Sequence, residues 1–421
     1  MEQKRIILHC DCNSFFASVE TVLDPSLRNI PMAVGGNEEN RHGIILAKNE
    51  LAKAYGIVTA ETIWSAKRKC PNLTVVLPHY GEYVRYSRAV GEIYRRFTDR
   101  IEPFGIDESW LDVTGSTKLF GSGFEIAEKI RNAVKQEIGI TVSIGVSFNK
   151  VFAKLGSDYK KPDAVTVIDE NNYKKIVFPL PVDSMIFVGK RTADELKRFN
   201  IYTLGELAAS SRAFLVSRFG KIGGTMHDYA NGRDTSPVAS IYDADTPPKS
   251  VGNGMTFKHD LVTSDEIHIG LLTLSEEIAE RLRRYGLCAA AISITVKGID
   301  LKSVSRQMQI SPATAIGREI ERYAYRLLLD VWSIGKPIRA LTVTAQEVIQ
   351  REHVTEQISF FENGEKHWKK IGRIEATVDE IRKKYGRSSL VSGAVIDNDL
   401  GIDIGKQKPL PEVGENGDRK K

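Results

Sequence analysis

The turn around Asp107 and Glu108 constrains the fold of this chain more than any other feature of its sequence. These two adjacent carboxylates follow the segment 101–104 and precede a strand-like run from Trp110 to Thr114. Adjacent carboxylates repel each other unless a proton or a cation lies between them. In a turn backed by apolar residues, a hard divalent cation with oxygen ligands is the natural partner. The alternative is a solvated turn, and a third carboxylate in a matching position would favour the cation.

Asp11 supplies that third carboxylate. It ends the apolar run 5–12, which predicts a buried strand, and a helix start follows at Asn13 or Ser14. Amphipathic helices are predicted over 82–100 and 124–138, with strands on both sides of the acidic turn and another over 140–147. With an insertion after the first strand, this order is the βαββαβ, ferredoxin-like arrangement. It predicts that Asp11, Asp107 and Glu108 meet at one edge of the sheet.

Three carboxylates at strand ends are a minimum set for two divalent ions about 3.5–4 Å apart, which support in-line phosphoryl transfer. One ion lowers the pKa of an attacking hydroxyl, and the other neutralises charge on the leaving phosphate. All-oxygen ligands that leave room for substrate phosphates favour Mg²⁺. Just beyond the last strand lie Lys150, Lys154, Lys160 and Lys161. They either form a solvated helix face or bind a triphosphate as point charges.

Composition sets wide limits on the function. The 421 residues, of which 42% are apolar and 27% charged, predict a globular protein of two to four domains. No apolar run approaches membrane-spanning length and no signal-peptide pattern is present, so we expect a cytoplasmic protein without a membrane partner. Its four cysteines form no Cys-x-x-Cys pair, which argues against zinc and redox sites. A net charge of +5 permits a polyanionic partner without requiring one.

The second half of the chain predicts two further folding units and a connection between them. Residues 183–232 have helical periodicity with glycine-containing hairpins, typical of either a helix–hairpin–helix or a plain helical bundle. Residues 235–248 are rich in proline, aspartate and small residues, which is typical of a linker. A second βαββαβ pattern follows, with strands predicted over 249–259, 288–298, 302–310 and 336–348 and helices over 265–285 and 313–332.

Four stretches together resemble the Y-family DNA polymerases of the bacterial DNA polymerase IV and UmuC kind. They are DCNSFFASVE at 11–20, FGIDESWLDVT at 104–114, SIGVSFNKVFAKLGSDYKKP at 143–162 and KSVGNGMTF at 249–257. Each is weak alone, but jointly they are specific and occur in the family's order. The resemblance implies an α+β multidomain fold with a ferredoxin-like palm, a small fingers insertion, a helical thumb with a helix–hairpin–helix and a second βαββαβ domain called the little finger.

The implied boundaries follow the patterns above. They are 1–16 with 81–168 for the palm, 17–80 for the fingers, 169–234 for the thumb, 235–248 for the linker, 249–350 for the little finger and 351–421 for a C-terminal tail.

The resemblance also implies roles for single residues. Asp11, Asp107 and Glu108 would be the catalytic residues and bind two Mg²⁺ ions, for which Mn²⁺ can substitute, together with the main-chain carbonyl of Cys12. Phe16 lies where the family keeps an aromatic steric gate against the ribose 2′-OH, the group that distinguishes the two sugars. The backbone of Phe15 and the side chain of Lys161 would contact the triphosphate.

Two departures from the family concern the nucleotide site. Where the family commonly has a tyrosine and an arginine that clamp the triphosphate, this chain has Glu50 and Lys53. Lysine keeps the charge but loses the bidentate fork. We therefore expect Lys53 to bind phosphate and Glu50 not to. Ile44 and Leu46 occupy positions over the nascent base pair that are often smaller in the family, which puts the range of tolerated lesions in doubt.

The remaining predicted contacts are with DNA and with a sliding clamp. A hairpin at Gly189 and Lys190 would offer backbone N–H groups to a phosphate. Little-finger candidates for phosphate contacts are Lys249, Lys258, Lys297, Lys302 and Arg306. Gln357, Phe360 and Phe361 resemble the bacterial clamp-binding pentapeptide, with core packing as the alternative. Residues 364–385 could form a helix, and 404–421 have a disordered composition.

These observations predict a template-directed, low-fidelity DNA polymerase that performs translesion synthesis by nucleotidyl transfer with two metal ions. Its expected partners are primer–template DNA, dNTPs and a sliding clamp, and it would act as a monomer in the cytoplasm at the nucleoid. Two alternatives remain open from the sequence. A non-catalytic scaffold would bind DNA and clamp only, and a nucleotide cyclase would use a similar palm.

Overall fold

A computed structural model describes residues 4–37, 41, 43–240, 247–354, 364–396 and 398–402 of the chain, and the side chains of residues 364–369 lie outside this description. The chain divides into two compact units. The first is built from residues 4–35 and 44–240, and the second mainly from residues 247–402. Of the helices in the described ranges, none is both long and apolar enough to cross a bilayer.

The strands of the first unit are β1 (Ile7–Cys12), β2 (Met32–Gly35), β3 (Ile45–Lys48), β4 (Thr74–Val76), β5 (Ile101–Pro103), β6 (Glu108–Asp112), β7 (Val142–Ser147) and β8 (Val165–Ile168). Its helices are α1 (Phe15–Leu23), α2 (Glu50–Ala54), α3 (Ile63–Lys69), α4 (Tyr80–Arg95), α5 (Thr117–Phe120), α6 (Gly123–Ala133), α7 (Lys150–Tyr159), α8 (Tyr173–Val177), α9 (Lys190–Arg198), α10 (Leu204–Ala209), α11 (Arg212–Phe219) and α12 (Lys221–Ala230).

The second unit contains β9 (Val251–Leu261), α13 (Ser264–Arg284), β10 (Leu287–Gly298), β11 (Ser303–Thr314), α14 (Gly317–Leu329), β12 (Ile338–Gln350) and α15 (Gly364–Tyr385).

The central sheet of the first unit has the order β5-β6-β1-β7-β8. Every residue of β1 is buried, and β1 pairs antiparallel with β6 and with β7. With α4 and α6 contributing to the same apolar core, strands β1, β5, β6 and β7 form the predicted ferredoxin-like arrangement. The sequence placed Glu108 in a turn, but β6 begins at this residue. Its backbone is therefore fixed by strand pairing, more rigidly than a turn would allow.

The insertion after α1 forms a separate three-stranded sheet in the order β3-β2-β4. The predicted helix over 49–55 is α2, and Asn49 caps it by accepting a hydrogen bond from the Ala52 N–H at 2.9 Å. The same side chain accepts from the Met32 N–H at 3.2 Å and donates to the Ile30 carbonyl at 2.8 Å. Asn49 thus fixes α2 to the entry of β2, which sets the position of Glu50 at the start of the helix.

Helices α8 to α12 form the predicted helical segment, and their apolar core also includes Val151, Phe152 and Leu155 of α7 and Ile168 of β8. The linker prediction for 235–248 needs correction, because residues 236–240 are part of the first unit and pack against its other residues. Val238 is buried, the Ala239 N–H donates to the Glu102 carboxylate at 3.1 Å, and Arg5 donates to the Ser236 carbonyl at 2.7 Å. An apolar side chain and backbone hydrogen bonds hold this segment, although its composition is typical of a loose connection.

The second unit has one sheet in the order β11-β10-β12-β9, whose core also includes α13 and α14. The predicted βαββαβ element order is confirmed, although the strand order differs from that of the first sheet. The second helix of this unit was predicted to begin at residue 313, whereas strand β11 continues to Thr314. Pro312 does not break this strand because β11 lies at the edge of the sheet, where a missing N–H is tolerated.

The described part of the predicted C-terminal tail is folded onto the second unit. The helix predicted over 364–385 is present as α15. Arg283 of α13 lies 2.6 Å from both Glu375 and Asp379 of α15. Glu375 also accepts from the Gly317 N–H at 2.9 Å, at the start of α14, where the N-cap residue forms no side-chain hydrogen bond. Ion pairs formed across elements cannot be read from periodicity, which is why the sequence suggested a tail.

Arg283→Met should lower the free energy of unfolding of the second unit by about 2 kcal/mol, because it leaves two partly buried carboxylates without their cation. Denaturant titration followed by circular dichroism measures this loss. The matched control is Arg284→Met at the neighbouring position, where the arginine side chain is 41% exposed and pairs with Glu280. That variant should lose less than about 1 kcal/mol. Equal losses would mean that the contacts of α15 add no stability.

Candidate active site

The ladder between β1 and β6 brings the three predicted carboxylates together. Asp11 lies directly opposite Glu108 in the antiparallel register. Asp107 is the residue before β6, and its carbonyl accepts a hydrogen bond from the Cys12 N–H at 3.0 Å. Two strand ends therefore carry all three side chains, which is the geometry predicted from the order of elements.

The three carboxyl groups differ in their electrostatic environment. Burial raises the pKa of Asp11. Burial, together with the charges of Asp11 and Glu108, raises the pKa of Asp107 to about 6. Burial also acts to raise the pKa of Glu108, but hydrogen bonding to His9 and Lys154 outweighs it and holds that pKa at about 2. These carboxylates raise one another's pKa, and their mutual repulsion favours a cation among them.

Two lysines of the 149–163 segment contact these carboxylates. Lys161 Nζ lies 2.7 Å from Asp11 Oδ2 and 2.8 Å from Asp158 Oδ1. Lys154 Nζ pairs with Glu108 Oε2 and lies 5.5 Å from the centre of the Phe104 ring. Of the two readings of this lysine segment, a solvated helix face does not describe Lys154 and Lys161.

The donor set fits a hard divalent cation, because it consists of carboxylate oxygens on a fixed backbone. In the part of the chain that the structure describes, no three His, Cys, Asp or Glu side chains stand together as a metal-binding group. Asp11 and Glu108 each form an ion pair with a lysine instead.

His9 is a site residue that the sequence analysis missed. Its Nδ1 lies 2.8 Å from Ser157 Oγ, and its Nε2 lies 3.2 Å from Glu108 Oε2. The ring packs edge-on against Trp110 and is fully buried, and burial lowers its pKa. His9 therefore supports Glu108 from inside the protein. Strand alternation offered a signal, since His9 and Asp11 share one face of β1.

Phe16 is held by aromatic neighbours on α4. Its ring stacks on Tyr83 with centroids 4.1 Å apart and an interplanar angle of 12°, and Tyr80 meets it edge-on at 6.1 Å. The Tyr83 hydroxyl donates to the buried carboxylate of Glu20. Phe15 is almost fully buried in the core, so only its backbone can reach a ligand. Helical spacing had indicated Tyr83 as a core residue without revealing this contact with Phe16.

The two residues that depart from the family lie next to each other at the start of α2. Glu50 accepts from Ser14 Oγ at 3.3 Å, and Lys53 Nζ lies 3.5 Å from Glu50. Both side chains are about half exposed. Lys48 lies near them. Burial, and after it the charge of Lys53, lowers the pKa of Lys48. The sequence analysis did not identify Lys48 as a charge at this site.

The predicted DNA contacts of the second unit do not all share one surface. Lys297 lies opposite Ala340 and Ser303 on the open face of the sheet, away from the core. Arg306 pairs with the buried Ile294, so its side chain starts from the other face, at the edge strand.

The other candidates differ in their surroundings. Lys249 and Lys302 are exposed, whereas Lys258 Nζ lies 2.6 Å from Asp399. The open face itself is lined by small polar residues that the sequence analysis did not single out. They are Ser293, Thr295, Ser305, Thr342 and Thr344.

The remaining predicted residues lie elsewhere. Gly189 is the N-cap of α9 and Lys190 its first residue, and both are exposed. Gln357, Phe360 and Phe361 lie outside the described residues.

Comparisons with known proteins agree with this architecture. The profile of the impB/mucB/samB family matches residues 10–158, and that of its C-terminal domain matches residues 248–360. DNA polymerase IV of Acetivibrio thermocellus is 45% identical over 94% of this chain and 98% of its own length. DNA polymerase IV 1 of Bacillus subtilis is 35% identical over 94% of each chain. A solved structure, the Y-family DNA polymerase chimera Dbh-Dpo4(243-245)-Dbh, has a TM-score of 0.73 with 23% identity, covering 82% of this chain and 99% of its own.

Proposed function

The chain belongs to the impB/mucB/samB family of Y-family DNA polymerases, and on this basis we propose that Asp11, Asp107 and Glu108 bind the divalent ions of its active site. It is a DNA-directed DNA polymerase of the translesion kind, which uses template DNA, dNTPs and divalent metal ions. The observation that carries the proposal for the site is the register of Asp11 opposite Glu108, with Asp107 adjacent.

When bound, a pair of divalent ions would activate the primer 3′-OH and neutralise charge on the leaving pyrophosphate. We take these ions to be Mg²⁺, with Mn²⁺ able to substitute, because carboxylates and phosphates are hard oxygen ligands. Asp11, Asp107 and Glu108, with the Cys12 carbonyl, would hold them. The imidazole of His9 and the ammonium of Lys154 keep Glu108 ionised and oriented, as its low pKa indicates.

The nucleotide lies, in this proposal, between the carboxylates and α2. Lys161 and Lys53 contact the triphosphate as point charges, and the backbone at Phe15 contributes N–H groups. Glu50 makes no phosphate contact and holds Lys53. The ring of Phe16, fixed by Tyr83, meets the sugar at C2′.

DNA would be bound without regard to its sequence. Lys297 and the serine and threonine hydroxyls of the open face in the second unit suit a phosphate backbone, and such contacts position a duplex without reading it. Lys249, Lys302 and Arg306 add charge at the margins, while Lys258 contributes less because Asp399 holds it. The α9 start at Gly189 and Lys190 offers N–H groups to a further phosphate. Affinity should fall steeply with salt concentration.

Primer extension tests the proposal. Purified full-length protein is incubated with Mg²⁺, all four dNTPs and a primer on undamaged and on abasic templates. Distributive extension on both templates is expected. DNA binding without extension would favour the scaffold instead, and conversion of free nucleotide to a cyclic product would favour the cyclase.

We also propose that Gln357, Phe360 and Phe361 bind a sliding clamp, with one polar side chain and two aromatic anchors filling a pocket. The enzyme would work as a monomer on the nucleoid in the bacterial cytoplasm, where its template lies. These points rest on the sequence alone.

Phe360→Ala combined with Phe361→Ala should abolish stimulation by the clamp, because the loss of two buried aromatic anchors costs several kcal/mol of binding energy. The measurement compares extension with and without the clamp loaded on a primed circular template. Asn363→Ala, just beyond the peptide, is the control and should keep the stimulation. An equal fall in clamp-free extension would show that the two rings support the fold.

A further inference from the structure

Lys161 lies between two carboxylates, those of Asp11 and Asp158. Its ammonium group is 2.7 Å from Asp11 and 2.8 Å from Asp158, and its side chain is 29% exposed. The Asp11 side chain is 10% exposed, so the pair is largely shielded from water on that side. A shielded pair is held more firmly than a surface pair, because little water screens the charges.

A metal ion at Asp11 and the ammonium group of Lys161 compete for the same carboxylate. A divalent ion bound to Asp11 would lie close to the Lys161 ammonium group in its present position, and the two positive charges would repel each other strongly. Metal binding therefore requires Lys161 to leave Asp11, and breaking this ion pair costs free energy. A triphosphate that forms a new ion pair with Lys161 offsets this free-energy cost.

We propose that Lys161 couples metal binding to nucleotide binding by exchanging Asp11 for the triphosphate. This inference rests on the proposed function, because it needs Asp11 as a metal ligand and a triphosphate beside Lys161. Asp158 keeps the ammonium group close during the exchange, since it lies one helical turn earlier and contacts the same nitrogen. The coupling is reciprocal, so the metal also strengthens the hold of Lys161 on the triphosphate.

Lys154 is not the exchanging group. It pairs with Glu108, its side chain is only 18% exposed, and it lies over the Phe104 ring on the inner side of α7. Its position keeps Glu108 ionised and oriented, whereas Lys161 follows α7, two residues after its last residue, and has a second carboxylate as an ion-pair partner. Of the two lysines that pair with the carboxylates of the site, Lys161 therefore has a second carboxylate partner, Asp158, in addition to a proposed metal ligand.

The test measures Mn²⁺ binding to the full-length protein by electron paramagnetic resonance, without nucleotide or DNA. Lys161→Met should bind Mn²⁺ about tenfold more tightly than wild type, which lies in the usual range of coupling between sites. Lys161→Arg keeps the competing charge and should match wild type. The control Lys160→Met removes a neighbouring positive charge that forms no ion pair among the described residues, and it should also match wild type.

The second half of the test uses the Mn²⁺ complex of a non-hydrolysable dNTP analogue. Lys161→Met should bind this complex about tenfold more weakly while binding Mn²⁺ alone more tightly. Damage to the fold would weaken both affinities. A general loss of positive charge would also strengthen Mn²⁺ binding and weaken binding of the anionic complex, so the same two measurements on Lys160→Met give the size of that effect, and only shifts confined to the Lys161 variants indicate exchange. Lys161→Gln is measured in parallel, so that the result does not depend on the folding of one variant.

Unchanged or weaker binding of Mn²⁺ alone to both Lys161→Met and Lys161→Gln would overturn the exchange. The same measurement on Asp107→Ala separates this failure from failure of the proposed site. Loss of Mn²⁺ binding in Asp107→Ala, without tighter binding in the Lys161 variants, leaves the metal ligands in place and removes only the exchange. Full Mn²⁺ binding by Asp107→Ala would overturn the ligand assignment, and the exchange with it.

Discussion

Asp107→Ala is expected to lower the rate of primer extension by roughly a thousandfold or more, because it removes a proposed metal ligand for which no neighbouring carboxylate can substitute. Asp11 and Glu108 are already engaged by Lys161 and Lys154. Asp107 forms no such lysine pair among the described residues, and its raised pKa reflects the two carboxylates beside it. Of the three carboxylates, Asp107 is therefore the one whose negative charge a bound cation would stabilise most.

Single-turnover extension with saturating dNTP and Mg²⁺ measures this loss, and salt-dependent DNA binding is followed on the same sample. Binding should be unchanged, since Asp107 contacts no DNA in the proposed arrangement. Asp112→Ala at the far end of β6 is the matched control and should retain most of the activity. Extension by Asp107→Ala within tenfold of wild type would remove Asp107 from the active site.

The sequence predicted the order of helices and strands more completely than it predicted the side-chain contacts at the site. Periodicity and turns predicted two βαββαβ units and a helical segment between them, because each element shows its buried face in its own residues. The meeting of Asp11 with Asp107 and Glu108 followed from the order of elements. Membership of the family then supplied the chemistry, which a strand register alone does not specify.

What escaped the sequence depends on contacts between distant residues. The hold of Lys154 and His9 on Glu108, and of Lys161 on Asp11, arises only once α7 packs beside β1 and β6. A lysine that pairs with a carboxylate of the proposed site has the same local sequence pattern as a lysine in solvent. The docking of α15 through Arg283 escaped for the same reason. Glu108 was placed in a turn because a pair of acidic residues favours turns locally, and pairing with β1 overrode that preference.

Phe16→Ala should raise the ratio of ribonucleotide to deoxyribonucleotide incorporation by roughly a hundredfold or more, since a steric clash with the 2′-OH is worth a few kcal/mol and the alanine side chain leaves space for it. Selectivity depends on where the ring lies as well as on its size. Stacking on Tyr83 at 4.1 Å and the edge contact of Tyr80 leave the ring little freedom to move away from a ribose.

Incorporation of UTP against dTTP opposite a template adenine measures the ratio, with kcat/KM determined for each nucleotide. Tyr83→Phe is the matched control, because it keeps the stacked ring and removes only the hydroxyl that donates to Glu20. It should change the ratio by less than about tenfold. Tyr83→Ala removes the support and should relax selectivity part of the way, with Phe16 still present. If Phe16→Ala leaves the ratio unchanged while Mg²⁺-dependent extension persists, another side chain excludes the ribose, and the stack of Phe16 on Tyr83 serves only to pack α1 against α4.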